Sequence, residues 1–225
     1  MAASAITFAG PAGSLQGWFA GAPGPTGSVL IIHENRGLTR HFQQLPGRFA
    51  ASGYNALSID LLSRQGGTAG FADPAQATAA LGAASEEQLV EDMRAGLSEL
   101  AARAPGSKLG IVGFCFGGGQ VWSLLDAGEP RLAAAVPFYG PGPAGAQFSG
   151  SKAAVLGVYA ELDARVNGTK DAMEAALTAA GLPHELRTFP GVDHAFFNDT
   201  GPRYNADQAA AAYAATIDWF GQYLR

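Results

Sequence analysis

Residues 109–119 read LGIVGFCFGGG, and this stretch decides the fold. The first four residues form an apolar run of strand length, and the glycines that follow are typical of a turn into a helix. Residues 113–117 match the pattern of a nucleophile elbow, in which glycines stand two positions before and two positions after the nucleophile, here Cys115. Larger side chains would collide with neighbouring backbone there, so a steric requirement explains why glycine stands at 113 and 117.

An elbow of this kind places Cys115 at a helix N-terminus, whose partial positive charge favours a thiolate and whose free amides bind a developing oxyanion. We expect the amide of Phe116 to be one oxyanion donor and the amide of Asn35, in an earlier loop, to be the second. Alone, the segment is equally compatible with a small buried thiol in a glycine-rich turn. It lacks the glycine spacing of a dinucleotide-binding loop and the lysine of a phosphate-binding loop.

Outside the elbow, strand-length apolar runs alternate with amphipathic helical stretches from about Ser28 to the C-terminus. This order predicts an α/β fold, a mostly parallel central sheet with helices on both faces, as one domain over residues 1–225. Further strands are predicted at 29–32, 56–60, 133–139, 155–160 and 184–189. Residues 6–8 and 15–19 flank a glycine- and proline-rich turn, which predicts an N-terminal hairpin as the antiparallel edge.

Two helices have clear sequence signals. Ser85 and Gln88 have the spacing of a capping box, in which the hydroxyl accepts from the Gln88 amide while the Gln88 side chain reaches back. One apolar face follows in this helix (Leu89, Met93, Leu97, Leu100) and another in the last helix (Tyr213, Ile217, Phe220, Leu224), and both are predicted core. The glycine- and proline-rich stretches 66–82 and 140–145 are predicted loops at the border of a pocket.

The composition limits the kinds of partner that the protein is expected to bind. The chain of 225 residues has a net charge of −5 and no stretch dominated by lysine or arginine, so neither nucleic acid nor a membrane is an expected partner. Its single cysteine cannot form an internal disulfide. The N-terminus lacks a basic region followed by a long apolar stretch. We therefore expect a cytoplasmic protein, as a monomer or a small homo-oligomer.

In the fold that carries such elbows, an acid and then a histidine follow the nucleophile along the chain. Only His184 and His194 follow Cys115. His184 begins the predicted strand 184–189, whereas His194 comes after that strand, at the sheet edge where ligands bind. His194 is therefore the predicted general base.

Two carboxylates follow the predicted strand 155–160, Glu161 and Asp163. We favour Asp163 as the acid because it lies just beyond the strand, where a short side chain can fix the imidazole tautomer and stabilise the imidazolium. Glu161 remains the alternative. Asp193, beside His194, is interpreted as a turn residue.

Glu34 comes after the apolar strand 29–32 and His33. Its carboxylate can contact the thiol, cap the turn or pair with Arg36, and the residues alone leave these readings open. His33 gives no reason to expect a metal, since no His-Glu-x-x-His pattern and no cysteine cluster complete a ligand set.

Taken together, the motifs resemble the dienelactone hydrolase (carboxymethylenebutenolidase-like) family of the α/β-hydrolase superfamily. The resemblance is carried by GFCFGGG at 113–119, HENRG at 33–37, AELDARV at 160–166 and GVDHAF at 191–196, and it covers nearly the whole chain. It implies an α/β-hydrolase fold, a Cys115, His194 and Asp163 triad, no cofactor and no metal. It also implies that Glu34 contacts the nucleophile and that the thiol stays neutral until substrate rearranges this glutamate.

The sequence departs from the family pattern at a residue that binds the substrate. Members that cleave dienelactone hold its carboxylate with arginines, one of them four residues after the histidine, and Asn198 stands at that position here. An amide cannot reproduce a bidentate guanidinium contact, so we expect a substrate other than dienelactone. Asn198 and Arg36 are the predicted substrate contacts, and Arg64 and Arg203 are further candidates to replace the arginine.

The predicted function is hydrolysis of a small ester or lactone through a thioester acyl-enzyme on Cys115. Two alternatives are a non-catalytic binding protein on an inherited hydrolase scaffold and a thiol redox sensor. A sensor usually requires a second, resolving cysteine, which this chain lacks.

Overall fold

The computed structural model describes residues 1–225 and contains one eight-stranded mixed sheet. The strands are β1 (Ser4–Gly10), β2 (Gly13–Ala20), β3 (Gly27–Ile32), β4 (Tyr54–Ile59), β5 (Leu109–Phe114), β6 (Leu132–Phe138), β7 (Ala154–Ala160) and β8 (His184–Phe189). Their order across the sheet is β1-β2-β4-β3-β5-β6-β7-β8. The strands from β3 to β8 are parallel and β2 is antiparallel to both of its neighbours, which confirms the predicted α/β sheet with a hairpin at one edge.

Seven helices pack on the sheet. They are α1 (Arg40–Ala51), α2 (Pro74–Ala83), α3 (Glu86–Arg103), α4 (Phe116–Asp126), α5 (Ala164–Asn167), α6 (Lys170–Ala179) and α7 (Ala206–Tyr223). Side chains of α1 and α7 bury one face of the sheet, and those of α2, α3, α4 and α6 bury the other. None of these helices combines the length and the apolar character needed to span a bilayer.

The central strands are buried on both faces, so their side chains alternate between two cores. In β3, Leu30 and Ile32 pack in the core under α3 and α4, while Val29 and Ile31 pack in the core under α1 and α7. The register pairs Ile32 with Gly113 and Phe114 with Phe138, so β3, β5 and β6 end at the same edge. This edge holds the residues that the sequence singles out.

The prediction of a loop over residues 66–82 is wrong for the second half of this stretch, which forms α2. Asp73 caps this helix by accepting from the Ala75 amide at 2.8 Å, and Pro74 follows at the first helical position. Ala77 and Leu81 bury its inner face. The glycines at the start of the stretch masked an alanine-rich, well-capped helix.

The capping box at α3 is only half formed. The Ser85 side chain accepts from the Gln88 amide at 3.2 Å, as predicted. The Gln88 side chain does not reach back, and its Nε2 atom is buried without a hydrogen-bond partner. The apolar face of α3 is confirmed, because Leu89, Met93, Leu97 and Leu100 are all buried.

Glycines allow the first turn of α4 to lie directly against neighbouring backbone. A Cβ at Gly113 would lie 2.1 Å from the Gly117 carbonyl oxygen, and one at Gly118 would lie 2.4 Å from the Phe138 carbonyl oxygen. Backbone at a strand end cannot retreat from such a contact as a flexible side chain can. The position of α4, and with it that of Cys115, depends on these missing side chains.

This contact predicts different outcomes at two adjacent glycines. Gly118→Ala should lower the free energy of unfolding by about 1–3 kcal/mol or more, as is typical of overpacking. Gly119→Ala is the control, since a Cβ there has its nearest neighbour at 3.6 Å. It should be neutral or stabilising by about 0.5–1 kcal/mol through helix propensity. Urea unfolding measures both, and equal stabilities for the two variants would contradict the packing argument.

Candidate active site

Cys115 joins β5 to α4 in a strained backbone conformation, with φ 55° and ψ −113°. Its amide donates to the Phe138 carbonyl at 3.0 Å, and its carbonyl accepts from the Gly119 amide at 3.1 Å. The Gly117 amide donates to the His33 carbonyl at 3.1 Å. These bonds hold a conformation that a non-glycine residue rarely adopts, and they present a half-buried thiol at the carboxyl edge of the sheet.

The structure brings together Cys115, His194 and Asp163. His194 Nε2 lies 2.9 Å from Cys115 Sγ, and His194 Nδ1 lies 2.5 Å from Asp163 Oδ2. The other Asp163 oxygen accepts from the Val166 amide at 3.2 Å, which fixes the carboxylate at the start of α5. Since the carboxylate can only accept, Nδ1 of a neutral ring holds the proton and Nε2 is left to accept from the thiol.

The alternative candidates lie elsewhere. His184 is at the amino end of β8, where its Nδ1 hydrogen-bonds the Leu182 carbonyl. Glu161 is exposed and accepts from the Gly191 amide at 2.7 Å, with no bond to His194. Asp193 accepts from the backbone amide of His194, as a turn residue does. Of the carboxylates weighed for this position, Asp163 is the one that contacts the histidine.

Two backbone amides face the sulfur, those of Phe116 and Asn35, at the positions that the sequence predicts for oxyanion donors. Both lower the pKa of the Cys115 thiol, because an N–H group directed at the sulfur stabilises the thiolate. They come from different elements, the first turn of α4 and the loop after β3. A negative charge that develops beside the sulfur therefore meets donors that are already oriented.

The resting thiol is nevertheless hard to ionise. Burial raises the pKa of Cys115 to about 11, with a smaller contribution from the negative charge of Glu34. The two amides and the positive charge of Arg165 oppose this rise in pKa without cancelling it. At neutral pH the thiol is protonated, and its proton can move to His194 Nε2 through the bond already present.

Glu34 acts on Cys115 through its charge and not through a hydrogen bond. One carboxylate oxygen accepts from the Tyr139 hydroxyl at 3.3 Å, and the other accepts from Asn198 Nδ2 at 2.9 Å. No hydrogen bond joins Glu34 to the thiol and no ion pair joins it to Arg36. The hydrogen-bond donors to Glu34 are thus two neutral side chains, Tyr139 and Asn198, and not the thiol.

The structure places some of the predicted substrate contacts at the cleft and others away from it. Asn198 is buried, and its amide is occupied on both sides, since Oδ1 accepts from the Thr200 amide and hydroxyl. Arg64 is wrong as a substrate contact: it forms a two-point ion pair with buried Asp92 instead. Arg36 and Arg203 do line the cleft above Cys115, which has a volume of about 590 Å³.

Sequence reasoning missed Tyr139 as a site residue. It follows β6 with φ 34°, its ring centroid lies 5.1 Å from that of His194, and its hydroxyl donates to Glu34. Burial and the charge of Glu34 raise the pKa of this phenol well above its ordinary value, so it stays a donor. The signal was present: Tyr139 is a polar residue at the carboxyl end of an apolar strand, as Glu34 is.

Comparisons with known proteins find relatives along nearly the whole chain. A model of the dienelactone hydrolase family matches residues 15–224. A protein of Escherichia coli O157:H7 named "Putative carboxymethylenebutenolidase" is 31% identical over 214 residues, which covers 89% of this chain and 78% of the relative. A protein of the same name from Methylorubrum extorquens is also 31% identical over 214 residues, covering 89% of this chain and 73% of the relative.

Solved structures show the same likeness. The crystal structure named "Putative Dienelactone Hydrolase" from Klebsiella pneumoniae superposes with a TM-score of 0.85 at 28% identity and covers 98% of each chain. P91, a dienelactone hydrolase-like promiscuous phosphotriesterase from metagenomic libraries, has a TM-score of 0.85 at 24% identity and covers 99% of this chain and 98% of its own. At that identity, the second structure indicates the fold alone.

The electrostatics at Cys115 can be tested by titrating the thiol. Glu34→Gln removes a negative charge that raises the Cys115 pKa, so alkylation by iodoacetamide should reach its midpoint at a lower pH than about 11. Below the midpoint, each unit of downward shift gives about ten-fold faster labelling. Glu161→Gln, which removes an exposed carboxylate bonded to Gly191, should leave the profile unchanged. A profile of Glu34→Gln that moves upward or not at all would contradict this role.

Proposed function

The chain belongs to the dienelactone hydrolase family, and from that membership and the geometry around Cys115 we propose that it hydrolyses small carboxylic esters or lactones with this cysteine as nucleophile. Membership makes it a hydrolase of the dienelactone hydrolase type. The observation that carries the finer proposal is the continuous chain of hydrogen bonds from Asp163 through His194 to the thiol. A nucleophile, a base and an orienting acid stand in bonded contact.

In the first step, Cys115 Sγ attacks the substrate carbonyl carbon while His194 Nε2 takes the thiol proton. Transfer during attack is needed because the pKa of the resting thiol, about 11, leaves little thiolate at neutral pH. The carbonyl oxygen becomes an oxyanion and accepts from the amides of Phe116 and Asn35. Asp163 stabilises the imidazolium that forms.

In the second step, the tetrahedral intermediate breaks its bond to the alcohol oxygen, which takes the proton from His194. The acyl group stays on Cys115 as a thioester, and a lactone leaves its alcohol tethered to that acyl group. Water then attacks the thioester carbonyl as His194 accepts a water proton. The sulfur leaves and takes the proton back, which releases the acid and restores the resting enzyme.

The shape and charge of the cleft support the proposed substrate class. Its volume of about 590 Å³ is of the size usual for small-molecule sites. Neutral side chains, Tyr139 and Asn198, hold the inner carboxylate of Glu34, whereas the exposed guanidinium groups of Arg36 and Arg203 line the mouth. The site therefore fits a small ester or lactone that has no carboxylate next to the scissile bond, because Glu34 would repel one there.

The alternatives are disfavoured by specific features. A redox sensor needs a low thiol pKa, and the pKa of Cys115 is raised to about 11. A binding protein has no need for a base hydrogen-bonded to a thiol, or for two amides directed at the same sulfur. Both features are used if the reaction is acyl transfer.

Cys115→Ala should lower the hydrolysis of 4-nitrophenyl acetate by about a thousand-fold or more, because the covalent route is removed. The thermal melting curve should stay close to that of the unaltered protein. In the unaltered protein, mass spectrometry of an acid-quenched reaction should find one acyl group on Cys115. Retained turnover in the folded alanine variant would sink the nucleophile assignment.

Asp163→Asn should lower kcat by about 10³–10⁴-fold, since an amide no longer fixes the tautomer that leaves Nε2 free to accept. Glu161→Gln is the matched control from the end of the same strand, and it should keep near-normal turnover. Steady-state kinetics on one ester measures both. A loss confined to the Glu161 variant would transfer the role of the acid to that residue.

A further inference from the structure

His33 is a completely buried histidine at the end of β3 that the proposed chemistry does not use. Its Nδ1 atom lies 2.7 Å from the Glu34 carbonyl oxygen, and its Nε2 atom lies 3.1 Å from the Leu61 amide nitrogen. The Leu61 amide can only donate, so Nε2 is an acceptor and Nδ1 carries the proton. Burial lowers the pKa of His33, which keeps the ring in this neutral form.

The His33 ring lies near a carboxylate, that of Asp60, but its hydrogen bonds are to backbone atoms. Asp60 lies 3.9 Å from Nε2, too far for a hydrogen bond. The Asp60 oxygens accept instead from the Leu62 amide and from the amide and hydroxyl of Thr68. The partners that fix the His33 side chain are thus the Glu34 carbonyl and the Leu61 amide.

The Glu34 carbonyl belongs to the same peptide unit as the Asn35 amide. In a planar trans peptide, the C=O and N–H bonds point in opposite directions, so a bond that holds the carbonyl also fixes the direction of the amide. His33 Nδ1 and the Gly37 amide, at 2.7 and 3.2 Å, both donate to this carbonyl oxygen. On the other side of the peptide, the Asn35 amide is directed at Cys115.

The surrounding contacts make His33 the link between this peptide and the rest of the site. Its own carbonyl accepts from Gly117 in the first turn of α4, while Leu61 follows the end of β4. Thr78 on α2 donates to the Asn35 carbonyl at 3.0 Å. The imidazole is the single side chain that donates to the Glu34 carbonyl.

We propose that His33 is a positioning residue that orients the Asn35 amide as the second oxyanion donor. The inference rests on the proposed function, since a donor of this kind acts on the charge that develops in acyl transfer. Loss of one oxyanion donor typically costs about 10²–10³-fold in kcat. A donor turned away by loss of its support should cost about 10–100-fold, with KM nearly unchanged, because the amide acts mainly in the transition state.

Two substitutions separate the two bonds of the ring. His33→Asn keeps a donor near the position of Nδ1, so it can still hold the Glu34 carbonyl. His33→Gln places its amide near the position of Nε2, so it can keep the Leu61 bond while it loses the bond to Glu34. The Asn variant should keep most of the turnover of a nitrophenyl ester, and the Gln variant should lose about 10–100-fold in kcat.

Alkylation of Cys115 by iodoacetamide provides the readout that general damage to the site would change. This reaction displaces iodide from a saturated carbon and forms no oxyanion. The Asn variant should therefore alkylate within about two-fold of the unaltered protein. The Gln variant should alkylate more slowly, because the Asn35 amide also lowers the pKa of Cys115, but this loss should be clearly smaller than its loss in kcat. Equal kcat values for the Asn and Gln variants, or a loss of alkylation as large as the loss in kcat, would overturn the proposal.

Cys115→Ala separates this inference from the function on which it rests. An inactive alanine variant together with full turnover of His33→Gln defeats the positioning role alone. Turnover retained by Cys115→Ala defeats the hydrolase mechanism and this inference with it. If His33→Gln does not fold, His33→Asn still tests the proposal. This variant keeps a donor to the Glu34 carbonyl, so a fall in its kcat of about 100-fold or more with normal alkylation would contradict the positioning role.

Discussion

The site depends on one steric constraint, the close approach of the first turn of α4 to the ends of β3 and β6. A Cβ at Gly117 would lie 2.5 Å from the Ile32 carbonyl oxygen, and one at Gly118 would lie 2.4 Å from that of Phe138. With no side chain in the way, Gly117 bonds to the His33 carbonyl and Cys115 bonds to the Phe138 carbonyl. The amide of Phe116 and the loop after β3 therefore reach the same sulfur.

Opposing electrostatic effects set the pKa of the Cys115 thiol, and the largest of them, burial, keeps the thiol protonated. Burial and the charge of Glu34 raise the pKa of Cys115, and they outweigh the two amides and Arg165. Burial and the same charge raise the pKa of Tyr139, which keeps this phenol a donor to Glu34. A neutral thiol is oxidised less readily than a thiolate. In the proposed mechanism, His194 takes the thiol proton through the existing bond when a carbonyl carbon is in reach.

The sequence predicts whatever follows from strand ends and glycine spacing, because parallel strands bring their carboxyl ends to one edge. Cys115, Asp163 and His194 could be chosen in this way, and the structure places them in contact. Side-chain partners across loops are not encoded in periodicity. The Arg64 pair with Asp92 and the two neutral donors to Glu34 required the fold to be known.

In the proposed function, one loop residue, Asn198, bears on both the choice of substrate and the resting state of the Cys115 thiol. Its amide holds Glu34 without neutralising it, so the carboxylate keeps its full effect on the pKa of Cys115. A guanidinium at this position would pair with Glu34, offset its charge and supply a cation for an anionic substrate. An amide does neither, so the charge of Glu34 adds to the larger effect of burial on the pKa of Cys115. In the proposed function, the same charge disfavours a carboxylate beside the scissile bond. In the proposed function, substrate choice and thiol ionisation therefore both depend on the carboxylate of Glu34.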